Sequence, residues 1–95
     1  PTHAGLSEAV IPPSSSFIGL NVGDLHMKRN FDLNVLSILR GGNTYIGEEL
    51  HDLVIKSGDV MGMHSKWTSL HQVASNSDFI VLVKPASNSV KLFIS

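Results

Sequence analysis

The chain has no cysteine, few aromatic residues, no excess of either charge and no long apolar run. Each absence removes a class of function. Without cysteine there is no disulfide, no thiolate metal site and no thiol nucleophile, which fits a reducing compartment. Seven Lys and Arg stand against eight Asp and Glu, for a formal net charge of −1. A nucleic-acid surface needs a clear basic excess, and so does a polybasic membrane patch. No segment approaches the roughly 18–20 apolar residues that span a bilayer. The start carries neither the basic nor the apolar region of a signal peptide. The chain opens on Pro1 rather than Met, as expected of a piece cut from a longer polypeptide. Its 95 residues suffice for one domain with one modest core.

What is present is organised around residues 33–42, an aliphatic run closed by Gly41 and Gly42. A continuous apolar run of strand length that stops at glycines reads as a strand buried on both faces and central to a small sheet. Residues 1–7 read as a lead-in. Residues 8–11 form a short strand ended by Pro12 and Pro13, because proline cannot continue a ladder. Ser14, Ser15 and Ser16 read as a turn whose hydroxyls satisfy backbone, and Phe17 and Ile18 return to the core. Asn21 is a good N-cap, with Asp24 placed to complete a capping box. The helix it opens covers residues 22–28, with Val22 and Leu25 on one face, and residues 29–32 connect it to the central strand.

The Gly pair makes a hairpin into a strand at residues 44–46. A mixed segment, 48–57, leads to a turn at Gly58 and Asp59 and then a strand at 60–64. Ser65 reads as the cap of a second helix, 66–75, whose buried face would carry Trp67, Leu70, Val73 and Ala74. Residues 79–83 form a second apolar strand, expected to lie with the first beneath the two helices. The tail from residue 86 turns apolar at Val90, Leu92, Phe93 and Ile94. The expected fold class is therefore α+β: a small, mostly antiparallel sheet in the order β-α-β-β-β-α-β, with two short helices.

No catalytic constellation emerges. His26, His51, His64 and His71 are scattered over separate elements and lack the convergent spacing zinc requires. Glu48 and Glu49 are adjacent and point apart if extended. Neither nucleotide-binding glycine motif is present. Met27, Met61 and Met63 read as core filler. No nucleophile and base can be paired for a small hydrolase using Ser and His. The residues point to a regulatory or interaction module, with no enzyme activity, no cofactor and no metal.

The order of short motifs carries a resemblance. Val10-Ile11-Pro12-Pro13-Ser14, Phe17-Ile18-Gly19, Asp24-Leu25, Phe31-Asp32-Leu33-Asn34-Val35, Arg40-Gly41 and Ile55-Lys56-Ser57-Gly58-Asp59-Val60 succeed one another at fitting spacing. Together they resemble the TrkA-C domain, the C-terminal lobe of the family that regulates potassium conductance. The resemblance implies a domain over residues 8–84, flanked by 1–7 and 85–95. It also implies a non-catalytic regulatory role at the cytoplasmic face of the inner membrane, in a bacterial potassium or other permease system. Homodimers, a small effector near the pair's interface and contact with a membrane-embedded transporter part are implied as well, without nucleic acid. One subgroup binds cyclic di-AMP across the dimer cleft, and the matching positions here are Val22, Lys28 and Asn34. Lys28 would meet a phosphate and Asn34 an adenine edge. Gly23 departs from that subgroup, which has a bulky aliphatic there. Cyclic di-AMP or another nucleotide is thus the implied effector. The alternative is a purely structural dimerisation module in a cytoplasmic loop of a sodium/sulfate or dicarboxylate-type permease, with the apolar tail leading to a membrane helix.

Overall fold

Prolines and glycines punctuate the chain where expected, and the strands between them form one sheet. A computed structural model describes residues 4–82. The elements are β1 (Ala4–Val10), α1 (Val22–Leu25), α2 (Met27–Phe31), β2 (Leu33–Arg40), β3 (Asn43–Tyr45), α3 (Gly47–His51), β4 (Val60–Lys66), α4 (Trp67–Gln72) and β5 (Ile80–Leu82). The sheet is antiparallel throughout, in the order β3-β2-β4-β1-β5. The α+β reading therefore holds.

The details differ from the sequence reading in instructive ways. The centre of the sheet is β4, with β2 one strand from the edge. The apolar run in β2 is buried on one face only: Leu33 and Ile38 are buried, whereas Leu36 and Leu39 are 48% and 41% exposed. A bulge explains why so many aliphatics fit. Val35 pairs with Met63 and Ser37 with Gly62, so Leu36 is an extra residue in the strand. Both Val35 and Ile38 then face the core. The two apolar runs do not lie together, because β4 and β1 separate β2 from β5. Of the second run, Phe79 is buried while Ile80 is 53% exposed on an edge strand; residue 83 and the tail lie outside the described residues.

β1 begins at Ala4, inside the expected lead-in, because residues 4–7 pair along the far half of β4. Ser65 is no helix cap. It belongs to β4, where it pairs with both Gly5 and Leu33 and is buried. α4 starts at Trp67 without a side-chain cap. Leu70 and Val73 face the core, but Trp67 and Ala74 are exposed. The Trp67 indole lies across the backbone of Gly5, where a Cβ would fall under 3.0 Å from its ring atoms. The expected helix over 22–28 is two pieces, since His26 adopts the left-handed conformation at φ 46°. α2 then takes in Arg29, Asn30 and Phe31, which had read as a connector. The mixed segment holds a further short helix, α3. Ile18 is exposed, while Phe17 is buried.

The core is one cluster on the helix-covered side of the sheet, including Ala9, Ile11, Leu33, Ile38, Ile55, Met61 and Met63. Three phenylalanines close one end. Phe79 stacks on Phe17 at 5.7 Å and meets Phe31 edge-on at 5.7 Å, geometries that aromatic quadrupoles favour. The serine turn has the structural role expected of it. Ser15 Oγ accepts from the Phe17 N–H, and Ser16 donates from both N and Oγ to Asp78.

A second anchor is charged. Asp59, 1% exposed, accepts two 2.7 Å hydrogen bonds from Arg40, from Nε to Oδ1 and from Nη2 to Oδ2. The Lys56 N–H donates to Asp59 Oδ2, and Arg40 Nη2 also donates to the Val54 carbonyl. The Arg40 guanidinium lies 5.7 Å from the Tyr45 ring centroid, and its hydrogen bonds to Asp59 raise its pKa. Gly41, at φ 61°, lets the chain reverse immediately after this arginine. Removing one partner strands a buried charge, which costs about 3 kcal/mol or more. Arg40→Ala is expected to lower the unfolding free energy by about that amount in urea titrations. Arg40→Lys loses the two-pronged geometry and should fall between it and the parent protein; a change under about 1 kcal/mol for Arg40→Ala would refute this role.

Candidate functional site

The capping signal at Asn21 places the first side of the site. Asn21 Oδ1 accepts from the Asp24 N–H at 2.7 Å, so α1 starts where the sequence says. The left-handed turn at His26 redirects the chain into α2, and a second one at Asp32, φ 58°, sends it into β2. Between these elements lies a cleft of about 240 Å³. It is lined by Val22, Gly23, His26, Met27, Lys28, Leu33, Asn34 and Val35. The three site residues named from the sequence, Val22, Lys28 and Asn34, thus share one cleft. Val22 is buried and supplies an apolar wall. The Asn34 side chain points off the exposed face of β2 and makes no hydrogen bond among the described residues.

Lys28 is not unengaged. Its Nζ donates to Asp32 Oδ1 at 2.6 Å, one turn further along α2. Asp32 Oδ2 in turn accepts from Ser69 Oγ of α4 at 2.6 Å. The Lys28 hydrogen bond, followed by that of Ser69, holds the Asp32 carboxyl down at about 2. The cleft's cation is therefore the first member of a chain, Lys28–Asp32–Ser69, that ends on another helix. The sequence showed Lys28 and Asp32 four apart, a spacing that faces the two across one helical turn. Nothing local pointed to Ser69.

Gly23 has a structural account. A Cβ there would fall under 3.0 Å from Nε2, Cε1 and Cδ2 of His51. The imidazole of α3 thus occupies the space beside α1 where a bulky aliphatic would otherwise sit, and its Nδ1 is 3.1 Å from Asp52 Oδ1. His51 was read from the sequence only as a scattered histidine. Among the described residues, no group of three His, Cys, Asp or Glu could hold a metal ion. No helix among them is long and apolar enough to cross a membrane.

This two-layer sheet-and-helix unit, with a cleft between its first helices and β2, matches a known class of domain. The model of the TrkA-C domain family matches residues 6–76. The chain belongs to the TrkA-C domain family. It is also 38% identical over 56 residues to an uncharacterized transporter, sll0640, of Synechocystis sp. (strain ATCC 27184 / PCC 6803 / Kazusa). That alignment covers 59% of this chain and 9% of the transporter, so the chain corresponds to a small part of it.

Two outcomes follow from this geometry. Asp32 stabilises the fold as a carboxylate, so its contribution is complete above its unfolded pKa near 3.8 and is lost as pH falls through about 2. Carboxyl-carbon NMR should place the Asp32 midpoint near 2, and in Lys28→Ala it should move up toward the ordinary value; an unmoved midpoint would exclude the pair as its cause. Gly23→Ala gains up to about 1 kcal/mol of helix propensity, and the exposed His51 ring can swing aside. Its melting temperature should match or exceed that of the parent, whereas a loss above about 1 kcal/mol would show the ring to be fixed in place.

Proposed function

We propose that this chain is a non-catalytic, ligand-sensing regulatory domain of a bacterial cation transport protein, with potassium the first cation to consider, working at the cytoplasmic face of the membrane. The observation that carries this is the convergence of Val22, Lys28 and Asn34 on one cleft. The effector this chemistry suits is a nucleotide, with cyclic di-AMP the first to test. Lys28 would bind a phosphate, Asn34 would bond an adenine edge, and Val22 would pack against the base. Family membership and the transporter relative support the setting. A ligand can act on the membrane part only by favouring one arrangement of the domain over another, most simply of a homodimer.

One feature favours a second reading, a ligand-free structural module within a permease loop. The cleft's roughly 240 Å³ is below the ~300–1,000 Å³ of ordinary small-molecule sites. A cyclic dinucleotide would need the clefts of two copies, one nucleotide half to each. Thermal shift separates the readings, since a ligand specific to the folded state raises the melting temperature by mass action. At 100 times Kd the stabilisation is about 2.7 kcal/mol, which is several degrees for a domain of this size. Cyclic di-AMP, ATP, AMP and potassium salts form the panel. One of the nucleotides should give such a shift, and Lys28→Gln and Asn34→Ala should each abolish it. A flat response across the panel would leave the structural module.

A further inference from the structure

The sheet stops on one side at β5, a three-residue strand whose outer backbone edge meets no further strand among the described residues. Its side chains alternate between the two faces. Ile80 and Leu82 are exposed on the open face, whereas Val81 is half-buried and packs against the core on the helix side. The helix side is itself incomplete beside Val81. A groove of about 280 Å³ lies there, lined by Val81 and by Trp67, Leu70, His71 and Ala74 of α4 and the turn after it. An apolar groove next to an unpaired strand edge is a place where natural sheets ordinarily carry cover.

We infer that residues 90–94 of this same chain supply that cover, as a sixth strand antiparallel to β5. Three arguments select this segment. The first is pattern. In Val90-Lys91-Leu92-Phe93-Ile94 the alternate residues 90, 92 and 94 are aliphatic and share one face of an extended chain. The second is connection. β5 ends at Leu82, one residue past the Val81 that lines the groove. Pro85 cannot continue a ladder, and Ser87, Asn88 and Ser89 are turn residues. A loop over 84–89 is of ordinary length between neighbouring elements. The third is register. That loop sets Leu92 opposite Val81 and Phe93 opposite Ile80. Leu92 then extends the core row of Ile38, Met61, Ala9 and Val81 into the groove. On the open face Phe93 and Ile80 make an aromatic–β-branched pair, a kind that stabilises sheets. Lys91 faces outward on the new edge, where a lysine discourages further pairing. A slip of one residue would turn Lys91 onto the core side. The strand lies against α4, which also carries Ser69, the far member of the chain from Lys28. Cleft and docked segment thus bear on one helix, but the inference does not depend on any ligand in the cleft.

The absence of cysteine makes the register testable by cross-linking. Directly opposed residues have Cα atoms ~4.5–5.5 Å apart, within disulfide reach, whereas diagonal neighbours are ~7–8 Å apart. The 95-residue chain carrying Ile80→Cys and Phe93→Cys, oxidised in dilute solution, should close a disulfide within one chain in majority yield. Ile80→Cys with Lys91→Cys should give about tenfold less, because that pair is diagonal. The parent chain needs no substitution: alternate amides of residues 90–94 should exchange about tenfold or more slowly than in an unstructured peptide. Trp67, the chain's single tryptophan, reports on the groove. Leu92→Asp sets an unpaired charge against it and should raise acrylamide quenching of the indole emission about twofold, whereas Lys91→Asp should leave it unchanged. Free-peptide exchange throughout residues 90–94 would overturn the inference, leaving the groove to some other part of a longer polypeptide. A disulfide that joins two chains, equal yields from the two cysteine pairs, or a Trp67 signal that Leu92→Asp leaves unmoved would overturn it equally.

Discussion

The fold depends on a buried ion pair more than on any single apolar contact. Arg40 ends β2 and Asp59 precedes β4, so the pair fixes the two strands at one end and sets their register. The same two residues also gather the segment that lies outside the sheet, through the Val54 carbonyl and the Lys56 N–H. Asp59 holds the end of β1 too, since its carbonyl accepts from the Ile11 N–H at 2.9 Å. Hydrophobic burial drives collapse without choosing among registers. A buried carboxylate does choose, because each of its lone pairs must find a donor. With the guanidinium fork and a backbone N–H in place, Asp59 has that satisfaction in one arrangement of three strands and a loop.

Much of this could be read from the residues, and the failures have physical causes. Pro12 and Pro13, the Gly41–Gly42 turn and the Asn21 cap each carry a local mechanism, and each was found where expected. The sheet order was not legible. β1 lies between two strands from the far part of the chain, and nothing local in residues 4–7 announces such partners. The run in β2 reads as buried on both faces yet is buried on one, because an extra residue at the bulge lets aliphatics continue past strict alternation. His26 and Asp32 were unremarkable as letters, yet each takes a left-handed backbone that non-glycine residues seldom adopt. Those two positions shape the cleft. Its three lining residues were legible only through family resemblance. The partner of Asp32, Ser69, was not legible at all, because 37 residues separate them.

The cleft and α4 are connected by that last contact. A phosphate that drew Lys28 away would take from Asp32 one of its two side-chain donors. The remaining donor is on α4, the helix that follows β4 and precedes the edge strand β5. A change at the first helices therefore has a covalent and hydrogen-bonded route to the last described strand. Such a route couples two sites only if the element it reaches has two arrangements that the ligand distinguishes.

The interleaving of distant strands has a bearing on how the chain is made. Of the described strands β1 is synthesised first, but both of its neighbours come from the second half of these residues, β4 from Val60 and β5 from Ile80. Until synthesis has passed Leu82, the earliest strand has an unpaired edge and its aliphatic face lacks full cover. Pairings of such long sequence separation are slow to form, and an exposed strand edge is a site for association with other nascent chains. Between the synthesis of β1 and that of β5 this stretch of the polypeptide thus remains open to chaperones or to other nascent chains.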